Sequence, residues 1–157
     1  MALHKGAKVD VLDFDLPDSA GATAGGAGTN TVTATSWAVL PTNTVTVSIT
    51  NPHPSADMLC WVSYGAWMSA SASDVRMGLD VSGSVTIPPG IGSGGPRGWG
   101  QILQATAATS QQFSGGCTVV VPPGTATFKA YAYRSAASGT QAVNYPTLDV
   151  VPVRYLL

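Results

Sequence analysis

Over most of the chain, apolar residues fall at every second position. TVTVSIT sets Val45, Val47 and Ile49 against threonine and serine. MLCWVSYGAWMSAS sets Met58, Cys60, Val62, Tyr64, Ala66, Met68 and Ala70 against Leu59, Trp61, Ser63, Gly65, Trp67 and Ser69. DVRMGLDV sets Val75, Met77, Leu79 and Val81 against Asp74, Arg76, Gly78 and Asp80. A period of two is that of an extended strand with one face in the core. TVTATSWAVL, SVTI, WGQILQAT, CTVVV, TATFKAYAYRS and TLDVVPVRYL read as further strands, and no segment carries a ten-residue helical stripe. Pro41 to Asn43, the proline-rich loop NPHPSAD and the tight turn VPPGT separate them. About eight strands at intervals of roughly ten to fifteen residues predict an all-β, antiparallel two-sheet sandwich. A jelly roll and an immunoglobulin-like sandwich both satisfy this, and the long connections at 88–98 and 135–146 favour the jelly roll.

Residues 1–30 differ. They hold four of the eight aspartates and then SAGATAGGAGTN, a Gly/Ala tract poor in the large apolar groups a core needs. The expectation is an extended N-terminal arm and linker over 1–30, followed by a sandwich domain over 31–157. Within the arm, VDVLDFDL alternates, with Val9, Val11, Asp13 and Asp15 opposite Asp10, Leu12, Phe14 and Leu16. Such a segment is suited to adding a strand to another protein's sheet through Leu12, Phe14 and Leu16.

Composition supports the β reading and narrows the function. Charged residues make up 10% of the chain, less than half the usual quarter, and there is no glutamate. Thr, Ser, Ala, Gly, Val and Pro take the place of the good helix formers. The seven Lys and Arg are scattered, so no basic stripe exists for phosphate and no nucleic-acid partner is expected. No stretch approaches the ~18 apolar residues of a membrane span, and the lysines near the start precede no continuous apolar run. The expectation is a protein with no membrane partner, made without a signal peptide. Cys60 and Cys117 fit neither a disulfide-dense scaffold nor a four-ligand zinc site; they read as small buried hydrophobes, with a disulfide as the alternative.

Catalytic patterns are thin. Asp74 and Asp80 lie on the polar side of a strand, which leaves paired-carboxylate chemistry without a converging site. His53, Ser55 and Asp57 share a loop, but four residues of separation in a proline-rich segment do not build a triad. PPGIGSGGPRGWG lacks the Gly-Lys-Ser/Thr of a phosphate loop. His4 and His53 are solitary, and the arm's aspartates lack the glycine and terminal glutamate of a calcium loop. No enzyme activity, metal or cofactor is expected.

WVSYGAWMSASASDVRMGLDVSG and PPGTATFKAYAYRSAASGTQAVNYPTLDVVPVRYL carry a resemblance. A tryptophan-rich strand, a PPGT turn into an aromatic strand, an Asn-Tyr-Pro segment and a closing Val-Pro strand resemble surface proteins of tailed phages that infect actinobacteria. In these, a domain of this pattern occurs in minor tail, fibre and head-decoration proteins. It is similar to the trimeric jelly rolls of the tumour-necrosis-factor type. The resemblance covers roughly residues 58–157. It implies a virion structural protein on the outer surface of the head, with the major capsid protein as partner and a homotrimer as its state. Fibre domains usually follow a long shaft, and only ~30 residues precede this domain. That favours capsid decoration through the arm, with Leu3, His4, Lys5, Lys8, Val9, Val11, Leu12, Phe14 and Leu16 as the anchoring residues.

The final strand bears on the interface. TLDVVPVRYLL has apolar groups on both sides, with Leu148 and Val150 opposite Val151, Val153 and Tyr155. In the trimeric jelly rolls it resembles, the closing strand turns one face to the core and the other towards the three-fold axis. On that reading Trp61, Trp67, Tyr131, Tyr133, Val151, Val153 and Tyr155 form the subunit interface. Pro152 cannot donate to a ladder and requires a bulge or an unpaired edge. The alternative for the exposed aromatics is a tail-fibre or baseplate module that recognises host cell-wall glycans, with Trp67 and Trp99 stacking on sugar rings.

Overall fold

A computed structural model describes residues 21–42, 44–89 and 103–156. The arm residues 1–20, Trp99 and most of the 88–98 connection lie outside the described residues.

The strands are β1 (Ala22–Gly25), β2 (Thr29–Thr31), β3 (Ala38–Val39), β4 (Thr46–Asn51), β5 (Asp57–Ala70), β6 (Val75–Gly83), β7 (Leu103–Ala105), β8 (Thr109–Val121), β9 (Gly124–Arg134) and β10 (Gln141–Leu156). One sheet runs β1-β10-β5-β8 with β2 also on β10; the other runs β3-β9-β6-β7 with β4 also on β9. Every pairing is antiparallel and the partners nest: β1 and β2 with β10, β3 and β4 with β9, β5 with β8, β6 with β7. Pairs β5–β10 and β6–β9 close each sheet. This is a hairpin of paired strands rolled into two layers, the jelly-roll arrangement.

The core lies between the layers. All seven residues from Met58 to Ala70 expected on the inner face of β5 are buried, as are Val75, Met77, Leu79 and Val81 of β6 and Val45, Val47 and Ile49 at β4. Phe128, Ala130 and Ala132 of β9 and Leu148 and Val150 of β10 complete it. Cys60 and Cys117 are both free and buried on adjacent strands. Desolvation pushes the Cys60 thiol from 9.0 up to about 11 and raises Cys117 as well.

Several expectations need correction. Part of the Gly/Ala linker is structured: Ala22 to Gly25 pair with Val150 to Thr147, and Thr29 to Thr31 pair with Asn144 to Ala142. Asn30 is fully buried; its Nδ2 donates to the Val143 carbonyl at 3.2 Å and its Oδ1 accepts the Thr42 N–H at 3.1 Å. TVTATSWAVL is not one strand but the short β2 and β3 with a turn between. The connection expected at 135–146 ends early, because β10 begins at Gln141.

The C-terminal strand also changes phase. Pro152 lies opposite Cys60 and Arg154 opposite Leu59, so Val153 is the extra residue of a bulge. This is the irregularity Pro152 demanded. Beyond it Tyr155 pairs with the buried Met58 and packs against the core, its ring 4.8 Å from that of His53. Tyr155 therefore does not share a face with Val151. The Tyr131 and Tyr133 side chains lie on the outer side of the other sheet, since β9 and β10 belong to opposite layers.

Candidate functional site

Among the described residues, and apart from Val39 of β3, the exposed large apolar side chains gather on the outer face of the β1-β10-β5-β8 sheet. Along β5 it presents Leu59, Trp61, Ser63, Gly65, Trp67 and Ser69; along β10 it presents Asn144, Thr147, Asp149 and Val151, with Val153 from the bulge. Trp61 lies directly across from Val151. Both are about half exposed, at 45% and 49%, and Val153 follows at 41%. The Trp61 ring rests over Gly116 of β8, where a Cβ would come within 2.6 Å of the indole. A side chain at that position would displace the ring.

Trp67 is equally exposed but stands six residues along β5, roughly 20 Å away at 3.3 Å per residue. Its indole N–H donates to Ser110 Oγ at 2.9 Å. Between the two tryptophans the face carries small and polar groups. Ser63 Oγ donates to Asp149 Oδ2 at 3.4 Å, and these residues border a shallow depression of about 230 Å³ lined also by Gly65, Gln112, Thr147 and Tyr145.

Tyr145 was not singled out by the sequence pattern beyond its Asn-Tyr-Pro setting. It sits in a second β10 bulge, between Asn144 and Thr147, with φ of 49°. Its side chain is 64% exposed. The only sequence signal was the following proline, which disfavours regular pairing.

The other outer face is built differently. Trp37, from the β2–β3 connection, covers Gly78 of β6 so closely that a Cβ there would lie 2.9 Å from the ring. Its ring meets Tyr133 edge-on, with centroids 4.6 Å apart. Arg76 Nη1 donates to Tyr133 Oη at 2.9 Å, and its other terminal nitrogen lies 3.9 Å from Asp74 Oδ2. Asp80 lies opposite Lys129; burial raises its carboxyl pKa, and the lysine partly offsets this. The expected interface set is thus divided. Trp61, Val151 and Val153 come together, Trp67 lies at the far end of the same face, Tyr131 and Tyr133 are on the opposite layer, and Tyr155 turns inward.

The His53 loop is structural. His53 Nδ1 accepts the Ala56 N–H at 2.7 Å and the Ser55 N–H at 3.2 Å, while Asn51 Nδ2 donates to the carbonyls of Ala56 and Val121. His53 Nδ1 is thereby committed to holding a turn. Among the described residues no group of three His, Cys, Asp or Glu is placed to hold a metal.

No family model and no curated protein matches the chain. Among solved structures, it is similar to that of infectious bursal disease virus Gx strain, with TM-score 0.45 and 9% identity over 88% of this chain and 33% of that one. Particles of a mutant VP2 protein of the same virus give TM-score 0.42 and 8% identity over 97% and 36%. The xylan-binding domain CBM22-1 from Paenibacillus barcinonensis Xyn10C gives TM-score 0.27 and 9% identity over 89% and 96%. The chain therefore spans about a third of the viral proteins it resembles.

Proposed function

We propose that this is a virion structural protein, a head-decoration protein of the tailed-phage type that binds rather than catalyses. In this reading three copies meet through the Trp61–Val151 end of the outer face of the β10-containing sheet, and the N-terminal arm, from Leu3 to Leu16, lies on the major capsid protein. The observation that carries the self-association is the Trp61–Val151 pair with Val153 beside it. A cross-strand tryptophan and valine, both about half exposed, with a second valine next to them form an apolar patch that contact with another copy would bury. Aromatic anchors of this kind dominate interface energetics.

The function follows from linkage. A ligand that binds only the assembled shell stabilises it by RT ln(1 + [L]/Kd), about 2.7 kcal/mol at a hundredfold excess over Kd. A trimer with three arms gains further through effective concentration.

Mass measurement in solution tests the patch. At micromolar concentration the protein is expected to be a trimer, and Val153→Asp is expected to give monomers or aggregate. A monomeric parent, or an intact trimer from Val153→Asp, sinks the interface. Deletion of residues 1–20 is expected to abolish binding to expanded heads; undiminished binding would show that the arm is not the anchor.

A further inference from the structure

We infer a second, separate binding site on the same face: the depression between Asp149 and Tyr145 takes a neutral sugar ring. It does not depend on self-association, because its distinctive groups lie on the Trp67 side of the Trp61–Val151 pair.

The floor exists because Gly65 has no side chain; a Cβ there would meet the Phe113 carbonyl at 3.1 Å and Thr147 Oγ1 at 3.4 Å. Polar groups that both donate and accept surround this floor: Ser63, Thr147 and Gln112, with the Asp149 carboxylate as a strong acceptor. Hydroxyls of a sugar ring match this set.

Tyr145 supplies the aromatic side. A non-glycine residue at φ 49° is held against its own preference, and an exposed tyrosine gains little core packing to offset that. The backbone is pinned there, with Tyr145 N–H donating to the Gly28 carbonyl at 3.1 Å and Gly26 N–H to the Pro146 carbonyl at 2.8 Å. The bulge re-aims the ring to the rim of the depression instead of leaving it in strand register.

Charge selects the ligand class. Among the described residues of β1, β2, β5, β8 and β10 the only cationic side chain is Arg154, two outward rows from Asp149. Phosphate, sulfate and uronic acids would meet the carboxylate without compensation. At about 230 Å³ the space falls below the ~300 Å³ at which drug-sized pockets begin, so it suits one ring of a chain.

Calorimetric titration of the full-length protein with hexasaccharides of glucose, mannose, galactose, xylose and N-acetylglucosamine tests the site, with a hexagalacturonate as the anionic control. At least one neutral oligomer is expected to bind and hexagalacturonate is not. Tyr145→Asn, which removes the ring but tolerates positive φ, and Asp149→Asn are each expected to weaken binding tenfold or more, with unchanged circular dichroism. Trp61→Ala, which removes the self-association patch, is expected to leave affinity within twofold. Binding by no neutral oligomer, binding of hexagalacturonate alone, or affinity within twofold in both Tyr145→Asn and Asp149→Asn overturns the proposal.

Discussion

The two outer faces of this sandwich each lay a tryptophan over a glycine, Trp37 on Gly78 and Trp61 on Gly116. On the β9 side the tryptophan comes from a loop, caps the sheet, and is locked to Tyr133, which Arg76 and Asp74 hold in turn. On the β10 side Trp61 comes from the strand itself, and it remains about half exposed beside Val151. Aromatic content is similar on the two faces. What separates a finished surface from an unfinished one is whether another part of the chain arrives to cover it.

The sharpest way to break this comparison is to truncate both tryptophans in the Val153→Asp background, chosen to keep the proposed association from contributing to stability. Urea unfolding is expected to show Trp37→Ala costing about 2–3 kcal/mol, below the 3–5 of a fully buried aromatic. Trp61→Ala is expected to stay within about 0.5 kcal/mol, as surface substitutions do. Equal losses would mean that Trp61 is part of the fold rather than a contact surface.

Next in size are the glycines. Gly78→Ala is expected to cost about 1–3 kcal/mol, because Trp37 is held by Tyr133 and cannot yield freely. Gly116→Ala is expected to cost about 1 kcal/mol, since the Trp61 ring can swing into solvent and only the Val62 carbonyl, 3.2 Å from the new Cβ, has to give. Similar values for the two would remove the distinction between a locked and a loose ring.

A smaller effect separates the faces by pH. Burial holds the Asp80 pKa above its usual value, so the folded state favours the protonated form. That contribution is full below the unfolded pKa of about 3.9 and is lost as pH rises through the folded value. Asp80→Asn should therefore melt slightly higher than the parent at pH 7, and the gap should close towards pH 3. A lower melting temperature at pH 7 would show that the attraction to Lys129 outweighs burial.

The smallest expected signal belongs to the shared core. With its folded-state pKa raised to about 11, the Cys60 thiol stays protonated at pH 8, and neither it nor Cys117 is expected to react with a thiol reagent until the protein is denatured. The same shift favours folding below about pH 9 and fades as pH climbs from 9 to 11. Rapid labelling of the native protein would show that the core opens locally.

Much of the sandwich was legible because alternation is a local property. Successive side chains of an extended chain must point to opposite faces, so β4, β5 and β6 announced their buried sides. The errors arose where pairing at a distance decided the outcome. Ala22 to Gly25 have little apolar mass, and β10 makes a strand of them by offering a ladder. Tyr155 was placed on the wrong side because one bulge residue, Val153, shifts everything after it by a half-period. Tyr131 and Tyr133 were grouped with the last strand although adjacent strands in a jelly roll cross between layers.

From its residues alone, this protein settled its fold class, its inward-facing positions and the presence of unspent aromatic surface on β5, because each depends on spacing along one extended segment. Tertiary structure alone decided which layer each strand joined, that Trp37 would be locked against Tyr133 while Trp61 stayed open, and that a bulge would set Tyr145 at the rim of the depression that Asp149 borders. Those outcomes depend on contacts between segments far apart in the chain, and no local period encodes them.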